Sequence, residues 1–168
     1  AHTHAQFAAF DSDRTEVINR ALEAGVGMIN VGTQKDTSRR AVELTREHDN
    51  LYATVGLHPI HTSKSYHDAQ ELVSSPEAKG FTQPPESHGR KAVVAGFTSR
   101  GEDFDYEYYK KSAQDPKVVA IGECGLDFFR LEGGEEAKKK QKEAFLSQIE
   151  LSREVGKPLM IHCRNAFS

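Results

Sequence analysis

His2 and His4 are separated by a single residue, Thr3. In extended backbone such a pair points to the same side, so the two imidazoles can grip one cation. Farther along, Glu123 follows the apolar run Val118–Val119–Ala120–Ile121 across one glycine, and His162 directly follows Leu159–Met160–Ile161. A carboxylate buried at the end of an apolar strand costs on the order of several kcal/mol unless a cation or a donor compensates it. Taken singly, each residue has an ordinary explanation: surface histidines for His2 and His4, a neutral core histidine for His162. Taken together, these ligand-type side chains at strand ends argue for a metal centre. Cys124 and Cys163 read as packing residues rather than nucleophiles, and His61 and His67 read as surface residues.

The elements that must position these groups alternate between short apolar runs and amphipathic stretches. Asp11–Ser12–Asp13 offers caps for a helix through Val17, Ile18, Ala21 and Leu22 that stops at Gly25. Met28–Val31 reads as a buried strand, and Thr37 or Ser38 caps a second helix that ends near His48. Leu51–Val55 is the next strand, closing on Gly56–Leu57–His58–Pro59. Lys117–Ile121 is a strand ending at Gly122–Glu123, Glu135–Val155 a long helix stopped by Gly156, and Pro158–Ile161 the last strand. Strands separated by helices of this length imply parallel pairing with right-handed crossovers, an α/β fold. Strand C-termini in a (β/α) barrel converge on one face, which is where the ionisable residues fall.

The rhythm breaks between Ser74 and Gly101, where Pro76, Pro84 and Pro85 accompany glycines and polar residues. We read about 76–101 as an irregular insertion in a single domain spanning 1–168, with Ala92–Ala95 as a short edge strand. Lys138–Lys140 and Lys142 read as a solvated helix face paired with Glu135, Glu136 and Glu143.

Composition bounds what these motifs can mean. A chain of 168 residues suits one domain with a sizeable core, while 37% hydrophobic content and a mean hydropathy of −0.62 are low for a closed one. A net charge of −3 supplies no global positive field, so a nucleic-acid role needs a local basic site or a bound cation. Two cysteines make no disulfide framework and point to a reducing, cytoplasmic setting. No apolar run reaches the ~18 residues that suggest a membrane span, and no signal peptide is visible.

Several segments resemble the TatD family of metal-dependent deoxyribonucleases. His2–Thr3–His4 is similar to the HxH at the end of the family's first strand, and Gly56–Leu57–His58–Pro59 to its G-x-H-P segment. Gly122–Glu123–Cys124–Gly125–Leu126–Asp127–Phe128–Phe129–Arg130 resembles the long signature G-E-x-G-L-D-[YF]-[YF]-R. The stretch from Gln141 through Phe145, Gly156–Lys157–Pro158 and Ile161–His162 to Arg164 matches as well. The resemblance covers nearly the whole chain outside about Gln83 to Gly96.

It implies a TIM-type (β/α) barrel, here strands one to five, and hydrolysis of DNA phosphodiesters from an end by a metal-activated water. Two divalent ions (Mg, Mn or Zn) are implied: His2 and His4 holding one, His162 the second, and Glu123 bridging both. His58 would stand at the pocket wall near the substrate phosphate, Arg130 and Arg164 would clamp that phosphate, and Asp127 would support the ligands from behind. A salt bridge from Arg130 to Asp127 is an equal alternative.

The family places a further His after its sixth strand and an Asp after its eighth, and neither region is present. The resemblance therefore implies weak or absent activity for this chain alone, with a complementary fragment or a second copy covering open sheet edges. Two other readings stay open: a non-catalytic phosphate-binding or regulatory relic, and an amidohydrolase-type enzyme cleaving a C–N or ester bond. Metal titration against DNA and a cyclic amide separates the three. The metal reading further requires the ligating atoms of His2, His4, Glu123 and His162 to lie within about 4–8 Å of one another, and side chains scattered over different faces would sink it.

Overall fold

Apolar runs become strands and the amphipathic stretches between them become helices. The computed structural model describes residues 1–63, 66–67, 97–98, 101–129 and 131–167. In chain order the elements are β1 (His2–Thr3), α1 (Arg14–Glu23), β2 (Met28–Val31), α2 (Lys35–Leu44), β3 (Leu51–Val55), β4 (Tyr66–His67), β5 (Phe97–Thr98), α3 (Tyr106–Ala113), β6 (Val118–Asp127), α4 (Gly134–Val155) and β7 (Leu159–Arg164). Short 3-10 turns occupy Ala8–Phe10 and Pro59–Thr62.

The main sheet runs β1-β2-β3-β6-β7 with every pairing parallel, and α1, α2, α3 and α4 each link one strand to its neighbour. Strand order following chain order is the wall of a (β/α) barrel rather than a doubly wound sheet. β4 and β5 form a separate antiparallel pair. Phe97–Thr98 is thus a strand within the segment read as irregular. The rest of that insertion up to Arg100, the Ala92–Ala95 strand included, lies outside the described residues.

Local chemistry explains the helix limits. Gly25, with φ of +74°, turns the chain out of α1. Thr37 is not the cap of α2 but sits a turn inside it, where its Oγ1 accepts the backbone N–H of Thr33 at 2.9 Å and of Gln34 at 3.0 Å. The helix consequently starts earlier than expected and stops at Leu44 rather than near His48. α3 has no counterpart in the expected elements. Asp105 caps it by accepting the Tyr108 N–H at 3.1 Å, and Tyr109 and Ala113 bury one face.

α4 presents Ala137, Gln141, Ala144, Gln148 and Leu151 inward in one stripe and ends at Gly156 in a left-handed conformation. Its lysines lie outside, with Lys138 on Glu135 at 2.6 Å and Lys139 on Glu143 at 3.8 Å, as the solvated-face reading requires. One core cluster joins Ala41, Val55, Leu57, Tyr109, Ile121 and Leu151 between sheet and helices; a second gathers Ala5, Ile18, Met28, Leu44 and Leu51 under α1.

Two glutamines in the α4 stripe act as detached peptide groups. The Gln148 amide donates to Leu57 O at 3.0 Å and its carbonyl accepts Leu57 N–H at 2.9 Å. Gln141 does the same to Asp127, both bonds at 2.9 Å. Each therefore satisfies the backbone where a strand end would otherwise leave buried polar groups unpaired. Gln148→Leu is expected to strand both Leu57 groups and destabilise the fold by about 2–4 kcal/mol. Urea denaturation measures it, and a change below about 0.5 kcal/mol would show that these bonds carry no stability.

Candidate metal centre

Glu123 and His162 meet because β6 and β7 touch through glycine. The pairing matches Ile121 to Leu159 but Cys124 to Ile161, so β6 holds one extra residue across Gly122–Glu123, and pairing then continues to Asp127 opposite Arg164. Such a bulge re-aims the side chain it carries. Gly122 and Gly125 flank it with φ of +132° and +141°, and a Cβ at either would run into a β7 carbonyl, Met160 at the first and His162 at the second. The two residues thus lie inside strands rather than just beyond them, a correction to the sequence reading with this bulge as its cause.

Around Glu123 the histidines arrive with their tautomers constrained. His4 Nδ1 is 3.0 Å from Val31 O, an acceptor only, so Nδ1 carries the proton and Nε2 keeps its lone pair. His2 Nε2 lies 3.2 Å from that Nε2 and 3.6 Å from Glu123 Oε2. Nitrogens so spaced suit neighbouring ligands of one ion at metal–nitrogen distances of about 2.0–2.1 Å. Arg14 steadies the loop behind them by donating to the carbonyls of Ala5 at 2.7 Å and Phe7 at 3.0 Å, and the Phe7 ring stacks on His4 at 4.6 Å.

On the far side His162 Nε2 is 2.9 Å from Asp127 Oδ2, while its Nδ1 is 3.1 Å from Glu123 Oε1. With Asp127 accepting the Nε2 proton, the Nδ1 lone pair faces a carboxylate oxygen, and a second ring proton or a cation must separate them. Two groups of ligand atoms result, His2–His4–Glu123 and His58–Glu123–His162, each within 4.8 Å. Glu123 belongs to both, and the chemistry of the donors fits a divalent pair.

His58 differs from His4 and His162 in what its ring presents to Glu123. Its Nδ1 accepts the Ile60 N–H at 3.2 Å, so Nε2 bears the hydrogen and faces Glu123 Oε1 from 4.0 Å. It offers the centre an N–H rather than a lone pair. Burial first, then the neighbouring His162, His61 and His4 and Arg164, hold its pKa well below 6.5, so it is neutral at neutral pH.

Asp127 is 1% exposed and also accepts Arg164 Nε at 3.1 Å and Nη2 at 2.9 Å, together with the Phe129 N–H at 3.0 Å. Arg164, supplied by the continued β6–β7 pairing, is thus an ion-pair partner of Asp127, while Arg130 lies outside the described residues. His61 is buried at 3% exposure with its ring 6.1 Å from that of His58, which corrects its reading as a surface residue; the Pro59–Thr62 turn folds it inward. The side chain of His67 lies outside the described residues. Cys124 is packed and its thiol pushed up to about 12 by burial, so it stays unionised. Cys163 is exposed on β7, an outermost strand, and is not a packing residue.

A family model described as TatD related DNase matches residues 1–168. A protein named 3'-5' ssDNA/RNA exonuclease TatD from Shigella flexneri is 31% identical over 165 residues, 98% of this chain and 47% of its own length. One of the same name from Erwinia tasmaniensis is 35% identical over 166 residues, 98% and 48% respectively. The chain thus spans about half the length of the curated relatives it matches. The crystal structure of YJJV, a TatD homolog from Escherichia coli, aligns with a TM-score of 0.63 at 25% identity, covering 98% of this chain and 50% of that one. A TatD-family hydrolase from Entamoeba histolytica shares the fold, with a TM-score of 0.56 at 22% identity over 90% of this chain and 41% of that one. The five parallel strands with their helices are accordingly an incomplete TIM-type barrel. Among the described residues no helix is long and apolar enough to cross a membrane.

Two outcomes test this geometry. Gly125→Ala is expected to destabilise the chain by about 1–3 kcal/mol and to weaken divalent-ion binding, because the new Cβ displaces the His162 carbonyl. Calorimetry that finds both unchanged would show that the seam is not tight. For His58 the unfolded chain takes up a proton near pH ~6.5 while the folded one resists it, so stability is full above that pH and declines as pH falls below it. In metal-free thermal melts between pH 7.5 and 5.5, assay values chosen about that ~6.5 midpoint, His58→Gln should flatten the decline. Parallel slopes for the two proteins would rule out this burial effect.

Proposed function

Because the chain belongs to the TatD related DNase family, we propose that it is a divalent-metal-dependent hydrolase acting on phosphodiesters of nucleic acid. The relatives are named for single-stranded DNA and RNA taken in the 3'-to-5' direction, and an unpaired DNA strand attacked from its end is the substrate we assign. The observation that carries the reading is the convergence of His4 Nε2, His2 Nε2 and His162 Nδ1 on the single carboxylate of Glu123. Three imidazoles and one carboxylate form a cation site; as a neutral core cluster they would be poorly satisfied.

His2, His4 and Glu123 would hold one ion, and Glu123 with His162 the other. Bound there, such ions supply Lewis acidity to a phosphoryl oxygen and raise the acidity of water. The chain's own residues do the rest. Glu123 supplies the negative charge shared between the two groups. Asp127 fixes the His162 ring and holds its Nε2 proton, so that Nδ1 faces inward. His58 turns its neutral Nε2–H toward the centre, where it can donate to a phosphate oxygen without adding charge. Arg164 spends Nε and one Nη2 hydrogen on Asp127, which leaves the Nη1–Nη2 edge for a phosphate. Arg130 is assigned as a second phosphate contact from the signature alone.

β1 and β7 are the outermost strands of the main sheet, which suits pairing with a complementary polypeptide or a second copy. On this reading the chain assayed alone cleaves feebly, and adding a polypeptide that carries the other half of the relatives' length raises metal binding and cleavage together. Full activity of the chain by itself would overturn that part. The central test is Glu123→Gln, which keeps shape and removes charge. Metal-stimulated cleavage of a single-stranded oligonucleotide should fall by about 10–100-fold or more, with the metal-free melting temperature little changed. Undiminished metal-stimulated cleavage would make Glu123 a structural residue only.

A further inference from the structure

Beside the candidate centre, Arg164 is held in an orientation that phosphate binding does not require. Its guanidinium carbon lies 4.5 Å above the centroid of the Phe129 ring. Asp127 grips the same guanidinium edge-on through Nε and Nη2. A planar group fixed along one edge and along one face is immobilised as a plate. Its side chain nevertheless remains 50% exposed, and among the described residues Asp127 and Phe129 are its only partners. Among the described residues no hydrogen bond, ion pair or ring contact is made on the opposite face of the plate. Phe129 itself is 40% exposed, unusual for a residue in direct line with a buried strand. Since Asp127 also holds His162, the plate stands one shared carboxylate away from the candidate ligands.

We propose that Arg164 and Phe129 form a shelf on which an unpaired nucleobase stacks, next to the scissile phosphodiester. The proposal rests on the nuclease reading for its substrate and adds to it a binding subsite for the base. Guanidinium planes and aromatic faces are the surfaces on which proteins stack splayed-out bases, and every base has a π-face, so the shelf is indifferent to sequence. It favours single strands, because bases within a duplex are already stacked on one another. The buried Asp127 carboxylate also balances the charge of Arg164, which suits a stacking role. Arg164 then recognises the base through its face and keeps only one edge for phosphate.

The chain contains no tryptophan, so Phe129→Trp places a single indole reporter in the shelf. The probes are a short oligothymidylate and an oligonucleotide of equal length with abasic sites, titrated in EDTA so that nothing is cleaved. Oligothymidylate should quench the indole saturably and the abasic strand should not. By fluorescence anisotropy the unaltered chain should bind the base-bearing strand about fivefold or more tightly than the abasic one. Arg164→Lys, which keeps the charge but loses the plane, should bring the two affinities together. Equal binding of both strands by the unaltered chain, or a base preference that survives in Arg164→Lys, overturns the shelf, and neither comparison depends on the tryptophan variant folding. Base-dependent binding with no metal-stimulated cleavage even after the polypeptide carrying the other half of the relatives' length is added would keep the shelf and sink the nuclease reading. Metal-stimulated cleavage with no base preference would do the reverse.

Discussion

The carboxylate of Asp127 has almost no contact with water, and an ion so placed must be answered by its surroundings or it would cost on the order of several kcal/mol. Four donors answer it: the Phe129 N–H, His162 Nε2, and Nε and Nη2 of Arg164. Each of those bonds orients something the site uses. One sets the ring of His162 toward Glu123, a second pair flattens Arg164 against Phe129, and the third turns the chain out of β6. The backbone of Asp127 is in turn held by Gln141 on α4. Satisfying one buried charge thus ties two strands, a helix and the ligand side chains into a single arrangement.

That arrangement depends on β6 and β7 approaching closely, which side chains at 122 and 125 would prevent. The glycines of the G-E-x-G stretch are therefore structural conditions for the chemistry of the residue between them. They let a bulge turn Glu123 toward the histidines while Cys124 packs into the core. The paired glutamines of α4 serve the same end from outside the sheet. Gln148 holds the backbone just before His58, as Gln141 holds Asp127, so one helix registers two separate parts of the site.

Much of this was legible in the sequence wherever apolar content alone decides structure. Leu51–Val55 and Met28–Val31 are strands as read, and α4 starts within one residue of the expected position and stops at Gly156. Legibility failed where tertiary pairing decides. Gly122 to Asp127 looks like a loop because it is polar and glycine-rich, yet pairing with β7 makes it strand. The Asp127–Arg164 ion pair joins residues far apart in sequence, and it is the sheet that brings them together. α3 was missed because a short helix with only Tyr109 and Ala113 fully buried leaves little periodic signal. The convergence of His2, His4, Glu123 and His162 was foreseen from strand-end logic and a family resemblance, but the tautomers that distinguish His58 from the rest required coordinates.

Where the chain leaves and rejoins the barrel wall, it is closed at the base. The Glu102 N–H donates to His61 O at 2.8 Å, and its carboxylate accepts from Lys35 N at 3.2 Å and Tyr109 OH at 2.8 Å. The same groups that begin α2 and fill α3 therefore clamp both ends of the segment between them. The clamp also pins the Pro59–Thr62 turn to the start of α2 and the buried face of α3, and with it His58 at the head of that turn.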